Sequence, residues 1–310
     1  LENRILVYLD QNIISSIKNG DISLNPSSSN LFWVYSNEHF NEIERSSNPQ
    51  TFLDTLNSIK AKHLRVNIDN SFRILNTATL NTESSVYDIY FDFLQNQKGY
   101  SSSHNIVDPM IAWINGGGST DLLESVPDEF LKQIIELTSG IKDYGIDMMP
   151  IIENTKDEIT SVIEIFKEHD HNISTTREKI GVGKGSIGDL QGPNVLKQIW
   201  EKINPHLPGI TIDQFFAFEP YSIFKQDNND WPLVVSIAGC CAVLDILGYQ
   251  AEKKIRKIEQ LPNVRSDSGH IAMATFCHLL LSNDKRLRNR ANAIYEYKNI
   301  PTIVGRFTFD

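Results

Sequence analysis

Four carboxylates stand where a chain of this kind keeps its chemistry. Asp10 follows the apolar run Ile5–Leu9, Asp284 follows the short apolar run Leu279–Leu281, and a helical pattern comes after each. An acid just beyond the end of a buried strand occupies the place at which open α/β sheets bind their ligands. Asp267 reads as the residue that opens a helix through Ile271, Ala272, Met273, Ala274 and Phe276. Glu42 lies on the helix after the apolar strand Leu31–Tyr35, with Glu38 one turn earlier on the same face. Brought together, such carboxylates repel one another, and a divalent metal resolves the repulsion. All-oxygen ligands favour Mg²⁺ or Mn²⁺ over zinc.

Each acid also has an ordinary reading. Asp10, Asp267 and Asp284 are good helix N-caps, and Glu42 suits the solvent face of an amphipathic helix. The joint placement of the four, at strand ends and helix mouths, is what favours chemistry. His270 is i,i+3 from Asp267 and shares its face, as a contact to a scissile phosphate, an outer partner of a ligand, or a packing histidine. His39 has the same ambiguity, with packing favoured. The remaining histidines show no metal-ligand spacing, and Cys240 and Cys241 read as core residues.

Other motifs carry less. GVGKGS (Gly181–Ser186) fails the phosphate-loop pattern: Gly185 follows Lys184, and Glu178 stands where the first glycine belongs. Asp10-Gln11-Asn12 lacks the second acid of a D-x-D nucleophile pair.

The elements that must position these groups follow from apolar runs and helical spacing. Strands are expected at Ile5–Leu9, Leu31–Tyr35, Leu64–Ile68, Leu279–Leu281 and Pro301–Phe307; the continuous apolar character of the first suits a strand buried on both faces. Ser36 is a good cap for the helix that carries Glu42. Pro49 opens a helix read as running through Leu64. From about Ser84 to Asn229 the β/α rhythm gives way to helices at Ser85–Gln95, Asp128–Leu137, Lys156–Lys167 and Val195–Ile203, with Gly/Ser-rich loops such as Gly116–Ser119 and Gly181–Gly188. The expected architecture is one α/β domain over 1–310. A parallel, Rossmann-like sheet flanked by helices is built from about 1–100 and 230–310, and a mostly helical insertion covers about 101–229. Trp231–Leu247 contains Asp245 and is short for a membrane span, so it reads as a buried helix; Gln250–Glu259 reads as a basic helix.

The chain has 310 residues, 40% hydrophobic and 22% charged, which suits a soluble protein with a sizeable core. Three cysteines make no disulfide framework, and the N-terminus lacks a basic, apolar leader, so a cytoplasmic protein without membrane association is expected. The net charge of −10 argues against non-specific nucleic-acid binding. Yet between Gln250 and Arg290 nine Lys/Arg face four Asp/Glu, a cationic rim around the acids.

Strand-Asp10-x-Asn12, Ser36 with Glu42 on the next helix, Asp267 in DSGHIAMATF and Ser282-x-Asp284 together resemble the PIN domain, a Mg²⁺/Mn²⁺-dependent nuclease fold that mostly cleaves RNA. The resemblance covers roughly the first hundred and last eighty residues; the middle has no counterpart in a minimal PIN domain. It implies metal-dependent phosphodiester hydrolysis by an endoribonuclease, in a toxin or defence role for many members. Asp10, Glu42, Asp267 and Asp284 would hold the metal, with Glu42 fitting the usual spacing better than Glu38. Asn12, Ser282 and His270 would orient ligands or water. Lys285, Arg286 and Arg290 would steer the RNA backbone. The alternatives are a structure-selective DNA nuclease on the same carboxylates, or a non-catalytic module binding protein or nucleic acid. A protein partner or homo-oligomer is compatible with either.

Overall fold

The computed structural model describes residues 4–24, 30–70, 73–96, 101–115, 117, 120–138, 149–168, 177–183, 187–188, 190–219, 231–251 and 257–307. Six strands, β1 (Ile5–Leu9), β2 (Leu31–Ser36), β3 (Lys62–Ile68), β4 (Ile74–Asn81), β5 (Leu279–Leu281) and β6 (Ile303–Gly305), form one sheet in the order β4-β3-β2-β1-β5-β6. All neighbours pair in parallel except β3 with β4, so the expected parallel α/β sheet carries one antiparallel edge strand. β4 departs from the sequence reading because its ILNTATLN run is mostly polar and exposed on an edge, which leaves no buried apolar signal.

Side-chain alternation divides the core between the two faces of the sheet. Val7, Leu9, Trp33, Tyr35 and Leu281 pack on one side against α1 (Gln11–Lys18), α2 (Asn37–Glu44), α3 (Pro49–Ser58) and α4 (Val86–Asn96). Tyr8, Val34, Leu64 and Leu280 pack on the other against the helices that follow in the chain. The helices α5 (Ser101–Ile114), α6 (Thr120–Glu124), α7 (Val126–Thr138) and α8 (Met149–Glu168) carry a small cluster of their own, around Leu123, Val126 and Ile163. α9 (Val195–Ile203) and α10 (Ile212–Phe215) return the chain to the sheet: Val195, Leu196, Ile199 and Ile203 are buried in its main core. α11 (Leu233–Leu247), α12 (Leu261–Ala274) and α13 (Lys285–Lys298) complete that layer.

Several boundaries differ from the sequence reading for definite reasons. α3 ends at Ser58 rather than Leu64, because Lys60 adopts a left-handed conformation (φ 53°) and turns the chain into β3. α12 begins at Leu261, not Asp267: Pro262 suits a first helical turn, and the 3₁₀ turn Ile258–Gln260 feeds straight into it. Asp267 therefore lies well inside the helix and caps nothing. The expected basic helix Gln250–Glu259 falls largely on 252–256, outside the described residues, as do most of Gly116–Ser119 and residues 184–186 of the glycine-rich loop. What is described of that loop is structural: Val182 and Ile187 are buried in the main core. α11 is the buried helix expected around Asp245, and among the described residues no helix is long and apolar enough to cross a membrane.

Candidate active site

The strand order reverses direction between β1 and β5, from β1-β2-β3 on one side to β5-β6 on the other. The crevice beyond the carboxyl ends of strands at such a reversal is where open α/β sheets bind ligands. Asp10, Ser36 and Ser282 end or follow β1, β2 and β5 and therefore border it.

Asp10 is held firmly. Its N–H donates to Leu281 O (2.9 Å), and its carboxylate accepts from Gln11 N (2.8 Å), so it also caps α1. Ile13 and Ile14, fully buried, pin that helix to the sheet. The other carboxylate oxygen accepts from Ser282 Oγ (2.6 Å) and from Asn12 Nδ2. Asn12 Oδ1 accepts in turn from Asn283 N (3.0 Å), and Ser282 Oγ from Asp284 N (3.0 Å). Asn12 and Ser282 thus tie the ends of β1 and β5 together around one carboxylate. Burial pushes the Asp10 carboxyl above its ordinary pKa, against the lowering effects of His270 and the Ser282 hydrogen bond.

His270 approaches the same carboxylate and joins it to Glu42, which comes from the opposite helical layer. His270 Nε2 lies 3.1 Å from Glu42 Oε1 and 3.8 Å from Asp10 Oδ1. Its Nδ1 lies 2.9 Å from Tyr8 Oη, which lies 2.7 Å from Ser36 Oγ. Burial opposes charge on His270, but the hydrogen bond and charge of Glu42, with the fields of Asp10 and Glu38, outweigh it and push the pKa up to about 9. The protonated ring donates from Nδ1 to Tyr8 and from Nε2 to Glu42. Burial also holds the Tyr8 phenol well above its ordinary pKa, so Tyr8 keeps its proton and donates it to Ser36.

Glu38 faces this group as well. Its carboxylate packs against Gly269, where a Cβ would lie only 2.6 Å from Glu38 Oε2, so the glycine makes room for the acid. Burial raises the Glu38 pKa, opposed by His270 and the hydrogen bond from Asn41. Arg45 ties α2 to α12 through Ser266 Oγ (3.2 Å) and Asn263 Oδ1 (3.3 Å), which sets the spacing of Glu38 and Glu42 from His270. His39 is structural, as the packing reading has it. Nδ1 accepts from Ser36 N (3.0 Å), completing a capping box, and Nε2 donates to Leu9 O (2.6 Å). Burial, then the charge of His270, holds its pKa well below the ordinary value.

The side chains of the other two predicted acids have partners of their own. Asp284 caps α13, accepting from Arg286 N (2.6 Å) and Leu287 N (3.2 Å). Asp267 Oδ2 lies 3.9 Å from Arg290 Nη2. Arg290 itself is a correction. It is fully buried, with Nη1 3.2 and 3.1 Å from the two carboxylate oxygens of buried Asp245, and it presents no charge to a backbone phosphate. Its place on the inward face of α13, among Leu287, Ala291 and Ile294, is the reason. Of the predicted cations Lys285 is exposed, and Arg286 is half-buried with Nη2 3.8 Å from Asp284 Oδ2.

Comparison with protein-family models, with curated proteins and with solved structures finds no match. The site must be read from its own chemistry. Carboxylate oxygens are the donors a hard cation takes, and Asp10 and Glu42 are the pair that would offer them to Mg²⁺ or Mn²⁺. As placed, however, the two are joined through His270, and among the described residues no group of three or more His, Cys, Asp or Glu side chains can hold a metal ion. The donor chemistry suits a metal; the spacing around the imidazole does not assemble a ligand set. Sequence reasoning missed Tyr8 and undervalued Glu38. The signal for Tyr8 was available, because it is the polar member of a run otherwise made of Ile, Leu and Val.

Proposed function

We propose that this chain hydrolyses phosphodiester bonds, as a PIN-like endoribonuclease acting at the crevice beyond β1 and β5. The observation that carries the reading is Asp10: a buried carboxylate at the topological reversal, fixed by Ser282 and Asn12 and linked through His270 to Glu42 on α2. Such rigid support is what a carboxylate needs to act in chemistry rather than in packing. Were the His270 bridge between them opened, Asp10 and Glu42 would be the residues to hold a divalent ion, which would supply an activated water and neutralise charge on the phosphate. The chain's own residues do the rest. Ser282 and Asn12 orient Asp10; Tyr8 and Glu42 hold the His270 proton between them; Lys285 at the rim attracts the backbone.

A second reading, a non-catalytic nucleic-acid or protein-binding module, is favoured by one observation. His270 lies between Glu42 and Asp10 and, protonated, offsets one of their two charges. Calorimetric titration of the chain with Mn²⁺ separates the two. Heat of binding in the wild type that is absent from Asp10→Asn supports the nuclease reading, and no binding in either supports the module.

A further inference from the structure

Along the surface of α13 runs a second feature that the carboxylate site does not use. Lys285, Asn289, Asn292 and Glu296 recur at spacings of four, three and four and so form one polar stripe along the helix. Opposite them stand Leu190, Gln191 and Gly192, leaving a groove of about 280 Å³ floored by Val195, Tyr249 and Ala293. Asn194 N donates to Glu296 Oε2 (2.8 Å) and holds the far end of the groove in register. The near end opens at Lys285, one residue beyond Asp284, so the groove leads away from the strand ends that carry Asp10 and Ser282. From Lys285 to Glu296 it extends about 16 Å, at 1.5 Å per helical residue.

The lining narrows the ligand. Three carboxamides, Gln191, Asn289 and Asn292, offer paired donors and acceptors, the complement of a base edge, whereas Lys285 and Glu296 cancel in charge. A groove built for phosphates alone would be cationic; one built for an apolar peptide would not be lined with amides. We infer that this groove takes the unpaired bases of a single-stranded RNA segment lying beside the carboxylate crevice, with Lys285 on the backbone at its mouth. The inference rests on the proposed nuclease reading and adds where that reading's substrate is read.

The test is fluorescence anisotropy of a short, labelled, mixed-sequence single-stranded RNA, titrated in chelator with the full chain and with Asn289→Ala/Asn292→Ala and Lys285→Ala. Both amides are at least partly exposed, and alanine favours the helix, so these variants keep the fold. Loss of two or more hydrogen bonds predicts affinity about tenfold weaker in the double variant. Lys285→Ala should lower the slope of log affinity against log salt by about one. Wild-type binding of RNA with unchanged affinity in the double variant overturns the groove and spares the nuclease reading, and so does equal weakening on double-stranded DNA, which presents no unpaired bases. No binding of RNA by the wild type, with no cleavage when Mn²⁺ is added, overturns both.

Discussion

His270 converts the geometry of the site into a stability that depends on pH. The perturbation is His270→Gln, which keeps a polar side chain but removes the charge between Glu42 and Asp10. In the folded chain the imidazole titrates at about 9 against an ordinary 6.5. The difference of about 2.5 pH units, at about 1.4 kcal/mol each, corresponds to about 3.5 kcal/mol. A histidine whose pKa is higher in the folded state contributes stability that is complete below the unfolded value. That contribution is lost as pH rises through the folded one, so the loss here falls between about pH 6.5 and 9. The other groups around the ring do not cancel it. His39 titrates below its ordinary value, so its contribution is nearly complete at the lower end of that window. Asp10 and Glu38 are raised, and they too favour the folded state less as pH increases. Urea unfolding of the full chain, in chelator, across this window should show the wild type losing about 3.5 kcal/mol more than His270→Gln. The two chains should be closest in stability at the alkaline end. Parallel curves for the two would refute the charged imidazole and with it the link from Glu42 to Asp10.

Asp284 and the buried pair below it give further tests. Asp284→Ala should cost about 1 kcal/mol in urea unfolding through loss of the α13 cap, whereas Asp284→Asn, which still caps, should cost a few tenths. If Asp284 also serves the chemistry, the Asn variant loses RNA cleavage while remaining stable. Arg290→Met leaves Asp245 charged and buried without its guanidinium and should cost about 3–5 kcal/mol; Arg290→Met/Asp245→Leu should recover most of that in the same denaturation assay.

How much of this was legible in the sequence depended on which physical signal each residue leaves. β1, β2 and β5 are apolar runs closed by polar residues, and Ser36 and Asp284 cap helices as their types require, so the sheet centre and two helix mouths were readable. β4 was not, since an exposed edge strand has no apolar face to announce it. The start of α12 was misread because Asp267 looks like a cap, while Pro262, the real signal of a helix start, lies five residues earlier. Arg290 looked like part of a cationic rim. Only packing reveals that Asp245, 45 residues away, draws it into the core. The relation of His270 to Glu42 spans 228 residues and joins opposite helical layers, and no local periodicity carries such a contact. The same holds for the wedge of Glu38 against Gly269.

Asp10 is the residue on which the proposed phosphodiester cleavage depends. The most direct measurement is cleavage of a mixed-sequence single-stranded RNA in Mn²⁺ by the wild type and by Asp10→Asn, with thermal melts of both. Cleavage by the wild type, its loss in Asp10→Asn, and a cooperative melt in each are expected. Equal cleavage by the two folded chains, or none by the wild type, would contradict that role of Asp10.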